Sequence, residues 1–256
     1  MRSIDGKVAV ITGAASGLGY AMAKRFAAEG ATLVLADVAE PQLERAAREL
    51  AGLGATVEAR STDVGDPESV DALARHSFER YGRVDIVVNN AGLVVLGKIW
   101  EIPLSEWHRL MDVNLWGVIH GIHAFVPRLI RQGGPAYVVN TASMAGVMTL
   151  GSLAPYVASK HAVVGLSEVL ARDLADAGRP IGVSVVCPGY VPSRLGLEDR
   201  DAVIPPPRPG GVTADDVADR VRQAMRDERL YVFTHPGSID EVDRRARVIR
   251  GEVPLV

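Results

Sequence analysis

Short β-branched runs alternate with longer amphipathic ones along the 256-residue chain. Val8–Ile11 is a continuous apolar run ending in a glycine loop, the pattern of a parallel strand covered on both faces. Tyr20–Glu29 has helical spacing and stops at Gly30; Thr32–Ala36 is the next strand, and Pro41–Leu50 the next helix, closed by Gly52 and Gly54. Thr56–Arg60 alternates like a strand, and Pro67–Tyr81 is helical up to Gly82. The cycle continues with strand Asp85–Val88, a long helix Ser105–Arg131, strand Tyr137–Asn140, a second long helix Pro155–Ala177 and strand Gly182–Cys187. Thr213–Arg226 closes as a helix with Thr213 as N-cap and Asp216 at its third position, and Tyr231–Thr234 adds a last strand.

Repeated β–α alternation predicts an α/β fold: one Rossmann-type, doubly wound, mostly parallel sheet of about seven strands with helices on both faces. Nothing splits residues 1–256 into two domains. The one compositional break, Ile204–Gly211, is rich in Pro and Gly, and it predicts a substrate-side loop around 190–212.

Two places along this frame carry chemistry. Thr12-Gly13-Ala14-Ala15-Ser16-Gly17-Leu18-Gly19 stands at the first strand–helix junction, with its glycines spaced G-x-x-x-G-x-G. Such a turn lets backbone approach a pyrophosphate, and the helix end offers it free N–H groups. Asp37 ends the second strand, where a carboxylate can accept ribose hydroxyls and repel a 2′-phosphate. At a separation of ~5 Å and an effective dielectric of ~20 that repulsion is roughly 3 kcal/mol, so NAD is the expected cofactor.

Tyr156 and Lys160 lie four apart on a predicted helix and so share a face. Oxidising an alcohol, or reducing a ketone, couples hydride transfer to proton transfer at oxygen. A phenol with pKa near 10 becomes an efficient base at neutral pH if about 4 kcal/mol of differential stabilisation favours phenolate, and a nearby ammonium and an oxidised nicotinamide both push that way. Ser143 follows the strand Tyr137–Asn140, so its hydroxyl emerges at the carboxyl edge of the sheet, able to stabilise charge on a substrate oxygen.

These motifs, in this order, resemble the short-chain dehydrogenase/reductase family over nearly the whole chain. The resemblance matches Thr12–Gly19 to the cofactor loop, with Gly13, Ser16, Gly17, Leu18 and Gly19 against the nucleotide, and Asp63 with Val64 to the adenine side. It implies that Asn90, Ala91 and Gly92 of the Asn89–Gly92 segment also line the cofactor, and that Pro188, Gly189, Val191 and Ser193 lie beside nicotinamide. Asn114 takes the position of a fourth catalytic residue, anchoring a water in a proton relay towards Lys160, whose ammonium holds the ribose hydroxyls; Tyr156 is the acid/base. Many relatives carry Thr after the Pro-Gly-x-Val turn, where this chain has Pro192 and then Ser193. A homodimer or homotetramer is also implied, with Leu115, Val118, Ile122, Val163, Leu166 and Leu170 as apolar positions on the two long helices.

Composition adds exclusions. A net charge of −3 gives no reason to expect nucleic acid or an anionic membrane as partner. No stretch reaches the roughly 18 apolar residues of a membrane span, and the N-terminus reads as no signal peptide, so a cytoplasmic location is expected. Lone Cys187 cannot pair within the chain, and His120 and His123 read as surface or interface residues, with no metal expected. Val94, Val95, Leu96, Trp100, Met144, Val147, Met148, Leu150, Leu153, Tyr190 and Leu195 suggest a small apolar or alicyclic alcohol or ketone as substrate, unless they serve as core or subunit contacts. Arg194 is the nearby cation. An NADPH-linked 3-oxoacyl reductase and a nonenzymatic dinucleotide sensor stay open as alternatives.

Overall fold

A computed structural model describes residues 1–192 and 211–255. Seven strands form one parallel sheet in the order β3-β2-β1-β4-β5-β6-β7. They are β1 (Val8–Thr12), β2 (Thr32–Asp37), β3 (Val57–Ser61), β4 (Ile86–Asn89), β5 (Ala136–Thr141), β6 (Ile181–Cys187) and β7 (Tyr231–Phe233). Helices α1 (Gly17–Ala27), α2 (Glu40–Gly52) and α3 (Pro67–Tyr81) separate the first four strands. Then come α4 (Leu104–Met111), α5 (Gly117–Gln132), α6 (Ala154–Asp176), α7 (Ala214–Asp227) and α8 (Ser238–Ile249).

The pleat sorts the strand residues between two layers. Ala9, Ile11, Leu33, Leu35, Ile86, Val88, Tyr137 and Val139 share a core with Met22 and Phe26 of α1 and with Val217 and Val221 of α7. Val10, Val34, Val87 and Val138 face the other way, onto Leu73 of α3 and Phe125 and Leu129 of α5. Strands buried on both faces need unbroken apolar runs, and β1, β4 and β5 are buried at every position.

The structure departs from the sequence reading at two elements and at two residues. The long helix predicted over Ser105–Arg131 is α4 and α5 joined by a π-helical turn, Asp112–Trp116. Helix α8, after β7, was not anticipated. Val118 and Val163 pack inside the chain's own core, 3% and 0% exposed, so neither can serve a subunit face. The helix from Thr213 is as expected: its side chain accepts from Asp216 N–H at 3.1 Å, and Asp216 accepts in return from Thr213 N–H at 2.8 Å.

The winding reverses between β1 and β4, which places a crevice at their carboxyl ends. Every residue with candidate chemistry that the structure describes stands on that edge or on the helices flanking it. Ser193, Arg194 and Leu195 lie outside the described residues, as does most of the loop expected at 190–212.

Candidate active site

The glycine turn is held against β4 by close approach. Gly13 has φ +65°, and a Cβ on it would lie 2.8 Å from Ala91 Cα; one on Gly19 would lie 2.2 Å from the Gly13 carbonyl oxygen. Asn90 Nδ2 donates to the carbonyls of Thr12 and Gly13 at 3.0 and 3.2 Å, and its Oδ1 accepts from Thr141 Oγ1 at 3.2 Å. The Asn90 side chain therefore braces the loop. Ser16 precedes α1 in extended conformation without a side-chain cap, and the first turn carries no acid. The opening N–H groups of Gly17, Leu18 and Gly19 thus remain for an external anion, and the donor set fits a dinucleotide's pyrophosphate.

Asp37 is half-buried at the end of β2. Its two carboxylate oxygens accept from Ala15 N–H at 3.1 Å and Ala39 N–H at 2.9 Å. The acid that sequence assigned to a ribose thus also ties the glycine loop to its neighbouring strand. Exposed Asp63 caps its own turn through Gly65 N–H at 2.9 Å. Val64 is buried, and its carbonyl accepts from His120 Nδ1 at 2.8 Å. That bond gives His120 a packing role, and no metal-binding group exists among the described residues.

Asn114 lies in the π-helical turn and is fully buried. Its Oδ1 accepts from Leu93 N–H at 2.7 Å, while Nδ2 donates to Leu93 O at 2.9 Å and to Ser159 Oγ at 3.3 Å. A Cβ on Gly92 would lie 3.4 Å from Asn114 Oδ1 and 3.6 Å from Lys160 Nζ, so Gly92 keeps open the space between them.

Ser143, Tyr156 and Lys160 converge. Ser143 Oγ accepts from Ala145 N–H at 3.1 Å and donates a long bond of 3.4 Å to Pro188 O, one it can exchange for a substrate oxygen. Lys160 Nζ stands 5.6 Å from the Tyr156 ring centroid and donates to Thr141 O at 2.9 Å. Burial lowers the Lys160 ammonium to about 8. Burial also raises the Tyr156 phenol, which Ser143 opposes, so the protein's own groups do not deliver the lowering that chemistry at neutral pH calls for. Sequence reasoning missed Gly146, where a Cβ would lie 2.6 Å from Lys160 O: only a glycine lets the Ser143 segment sit this close to α6. Cys187 ends β6 nearby, and burial pushes its thiol up to about 12, which leaves it inert.

The rim is built from two segments tied where Gly97 N–H donates to Ser152 O at 3.0 Å. Leu96, Trp100, Leu150 and Tyr190 are exposed there, whereas Met144 is buried in the core and Val147 and Met148 pack against it. Pro188 and Gly189 stand opposite Ser143, held by a residue that carried no sequence signal, His235, whose Nδ1 accepts from Gly189 N–H at 3.0 Å.

Known proteins are similar to this chain in sequence and in fold. The short chain dehydrogenase family matches residues 7–203. A 1-deoxy-11-beta-hydroxypentalenate dehydrogenase of Streptomyces avermitilis is 43% identical over 89% of this chain and 84% of its own. A cyclohexanol dehydrogenase of an Acinetobacter species is 33% identical, over 89% and 91%. The solved structure of a short chain dehydrogenase/reductase from Burkholderia phymatum, in complex with NAD, is 37% identical and superposes with a TM-score of 0.91, covering 99% of this chain and 98% of that one.

Proposed function

Because the chain belongs to the short-chain dehydrogenase family, oxidoreductases that bind a nicotinamide dinucleotide, we propose that it interconverts a secondary alcohol and a ketone using NAD(H). The observation that carries this reading is the convergence of Ser143, Tyr156 and Lys160 at the carboxyl edge of the sheet, beside the glycine turn.

Bound NAD(H) supplies the acceptor or donor of the hydride. The chain's own part is to manage a proton and a charge. In oxidation the Tyr156 phenolate takes the alcohol's proton; in reduction the phenol returns it to the forming alkoxide. Ser143 turns its hydroxyl from Pro188 O to the substrate oxygen. Buried Lys160 stands beside the phenol, and its positive charge joins that of the oxidised nucleotide in favouring phenolate against the effect of burial. Asn114, committed to Leu93 and Ser159, flanks the space between Gly92 and Lys160, where it would help anchor the water of a proton relay towards Lys160.

Gly13, Ser16, Gly17, Leu18 and Gly19 would hold the pyrophosphate, Asp37 the adenosine ribose, Asp63 and Val64 the adenine side, and Asn90 to Gly92 with Pro188 to Val191 the nicotinamide half. Asp37 favours NAD over its 2′-phosphorylated form. The exposed apolar rim of Leu96, Trp100, Leu150 and Tyr190 suits an alicyclic substrate, in line with the substrate named for the cyclohexanol dehydrogenase relative. Self-association as a homodimer or homotetramer belongs to the same reading and is measured by sedimentation. A panel of cyclic and acyclic secondary alcohols with NAD, followed by NADH absorbance, tests the proposal. Turnover of cyclic alcohols supports it; no turnover of any secondary alcohol, in either direction, rejects it.

A further inference from the structure

His235 follows β7 and packs against the turn that leaves β6. Gly189 N–H donates to its Nδ1 at 3.0 Å, and its Nε2 lies 2.9 Å from the Tyr190 carbonyl oxygen. A backbone N–H can only donate and a carbonyl can only accept. The two contacts therefore fix Nδ1 as the bare nitrogen and Nε2 as the N–H, a neutral imidazole in one tautomer. The Thr234 hydroxyl also lies 2.8 Å from Nδ1. A Cβ on Gly189 would meet the ring at 2.9 Å, so the imidazole occupies the space that a glycine leaves open.

The clamp continues toward the catalytic hydroxyl. Pro188 O accepts from Met144 N–H at 2.9 Å and from Ser143 Oγ at 3.4 Å. On its other side, the His235 carbonyl accepts from Ser238 Oγ at 2.8 Å at the start of α8. A helix that the strand pattern did not announce thus begins three residues after His235, with its first side chain bonded to the His235 carbonyl.

We propose that His235, in its neutral Nε2–H tautomer, is a positioning residue for the reaction: it clamps Pro188–Gly189–Tyr190 and thereby sets where the Ser143 hydroxyl and the Val191 backbone stand at the substrate edge. It acts through the turn and touches no substrate. The kinetic part of its test rests on the alcohol dehydrogenase reading above; the hydrogen-exchange part does not.

Three variants of the full chain separate the two arms of the clamp. His235→Phe fills the ring's space without either nitrogen. His235→Asn keeps an acceptor close to where Nδ1 stands, and His235→Gln keeps a donor near Nε2. Amide exchange at Gly189 and Met144 is measured alongside kcat, KM for the alcohol and KM for NAD. In His235→Phe the Gly189 amide exchanges at least about tenfold faster, while β1 amides keep the parent rate. The same variant loses about tenfold in kcat and raises KM for NAD several-fold, because the turn it frees belongs to the nicotinamide half while the glycine turn at β1 is untouched. His235→Asn regains most of that kcat, and His235→Gln less. The proposal is overturned if Gly189 exchange is unchanged in His235→Phe, if kcat stays within about twofold, or if Asn is as impaired as Phe. Faster exchange spread evenly over β1 as well, with a lower melting temperature, marks a general packing role and overturns it too. If the parent oxidises no secondary alcohol, the functional reading fails, and the exchange rates still decide whether His235 clamps the turn.

Discussion

Asp37 accepts two backbone N–H groups, from Ala15 and Ala39, and is also the residue proposed to hold the adenosine ribose. Removing the side chain therefore confounds two effects, loss of the loop's tie and loss of charge. Asp37→Asn separates them, since an amide oxygen can still accept one of the N–H groups. We expect this variant to keep its fold and to narrow the preference for NAD over NADP by up to about a hundredfold, the size of the repulsion removed. An unchanged ratio of kcat/KM values would place discrimination elsewhere. Tyr156→Phe loses only the ionisable hydroxyl, so NADH affinity by fluorescence titration should stay within about threefold while kcat drops by about a hundredfold or more. A variant retaining a tenth of parental kcat would end the acid/base assignment. Both residues were legible because their chemistry comes with a spacing: Tyr156 and Lys160 one helical turn apart, Asp37 at a strand end. His235 has no such signal. Its partners, Gly189 and Tyr190, lie 46 and 45 positions away and contribute only backbone atoms, which sequence does not distinguish.

At the scale of elements, the hydrophobic periodicity placed every strand to within a residue or two: strands covered on both faces, such as β1 and β5, as unbroken apolar runs, and edge strand β3 by its alternation. It could not show the π-helical turn at Asp112–Trp116, whose extra residue shifts the helical register without altering the apolar pattern enough to be noticed. That turn carries Asn114, and through Leu93 it fixes the segment after β4. Replacing Asn114 with Leu, close in volume, leaves the Leu93 N–H and C=O without their Asn114 partner in a half-buried setting. The expected outcome is both a lower melting temperature and a kcat reduced by tenfold or more. A fall in melting temperature alone would make Asn114 a purely architectural residue. The capping box of α7 offers the contrast. Thr213→Ala removes one cap, worth about 1 kcal/mol, and should lower the urea midpoint while kcat stays at the parental value, since the Thr213 and Asp216 side chains bond each other and, among the described residues, no group of the candidate site. A change in kcat there would mean that α7 communicates with the site.

For the molecule as a whole, the proposed catalytic cluster holds a charge that burial disfavours, and Lys160 shows where that cost titrates. The ammonium is 3% exposed, bonded to a carbonyl and facing a neutral phenol, and burial brings its pKa from 10.5 to about 8. A depression of that size corresponds to about 3 kcal/mol of preference for the neutral form. Between about pH 8 and 10.5 the unfolded chain binds the proton that the folded chain has released, so this group's contribution to stability rises with pH. Below about pH 8 both states carry the charge, and the full destabilisation is present. Lys160→Met has no such group, and it should be relatively most stable against the parent near pH 7. Its advantage should then shrink by about 3 kcal/mol as pH climbs to about 10.5. Urea unfolding of the two proteins across this range measures the difference directly, and the other alkaline groups, common to both chains, cancel. A gap that stays constant with pH would show that the ammonium is better solvated than its burial implies. A gap that shrinks would show that the fold maintains an unfavourable charge beside a phenol at neutral pH, a strain that packing alone gives no reason to keep and that proton transfer at Tyr156 does.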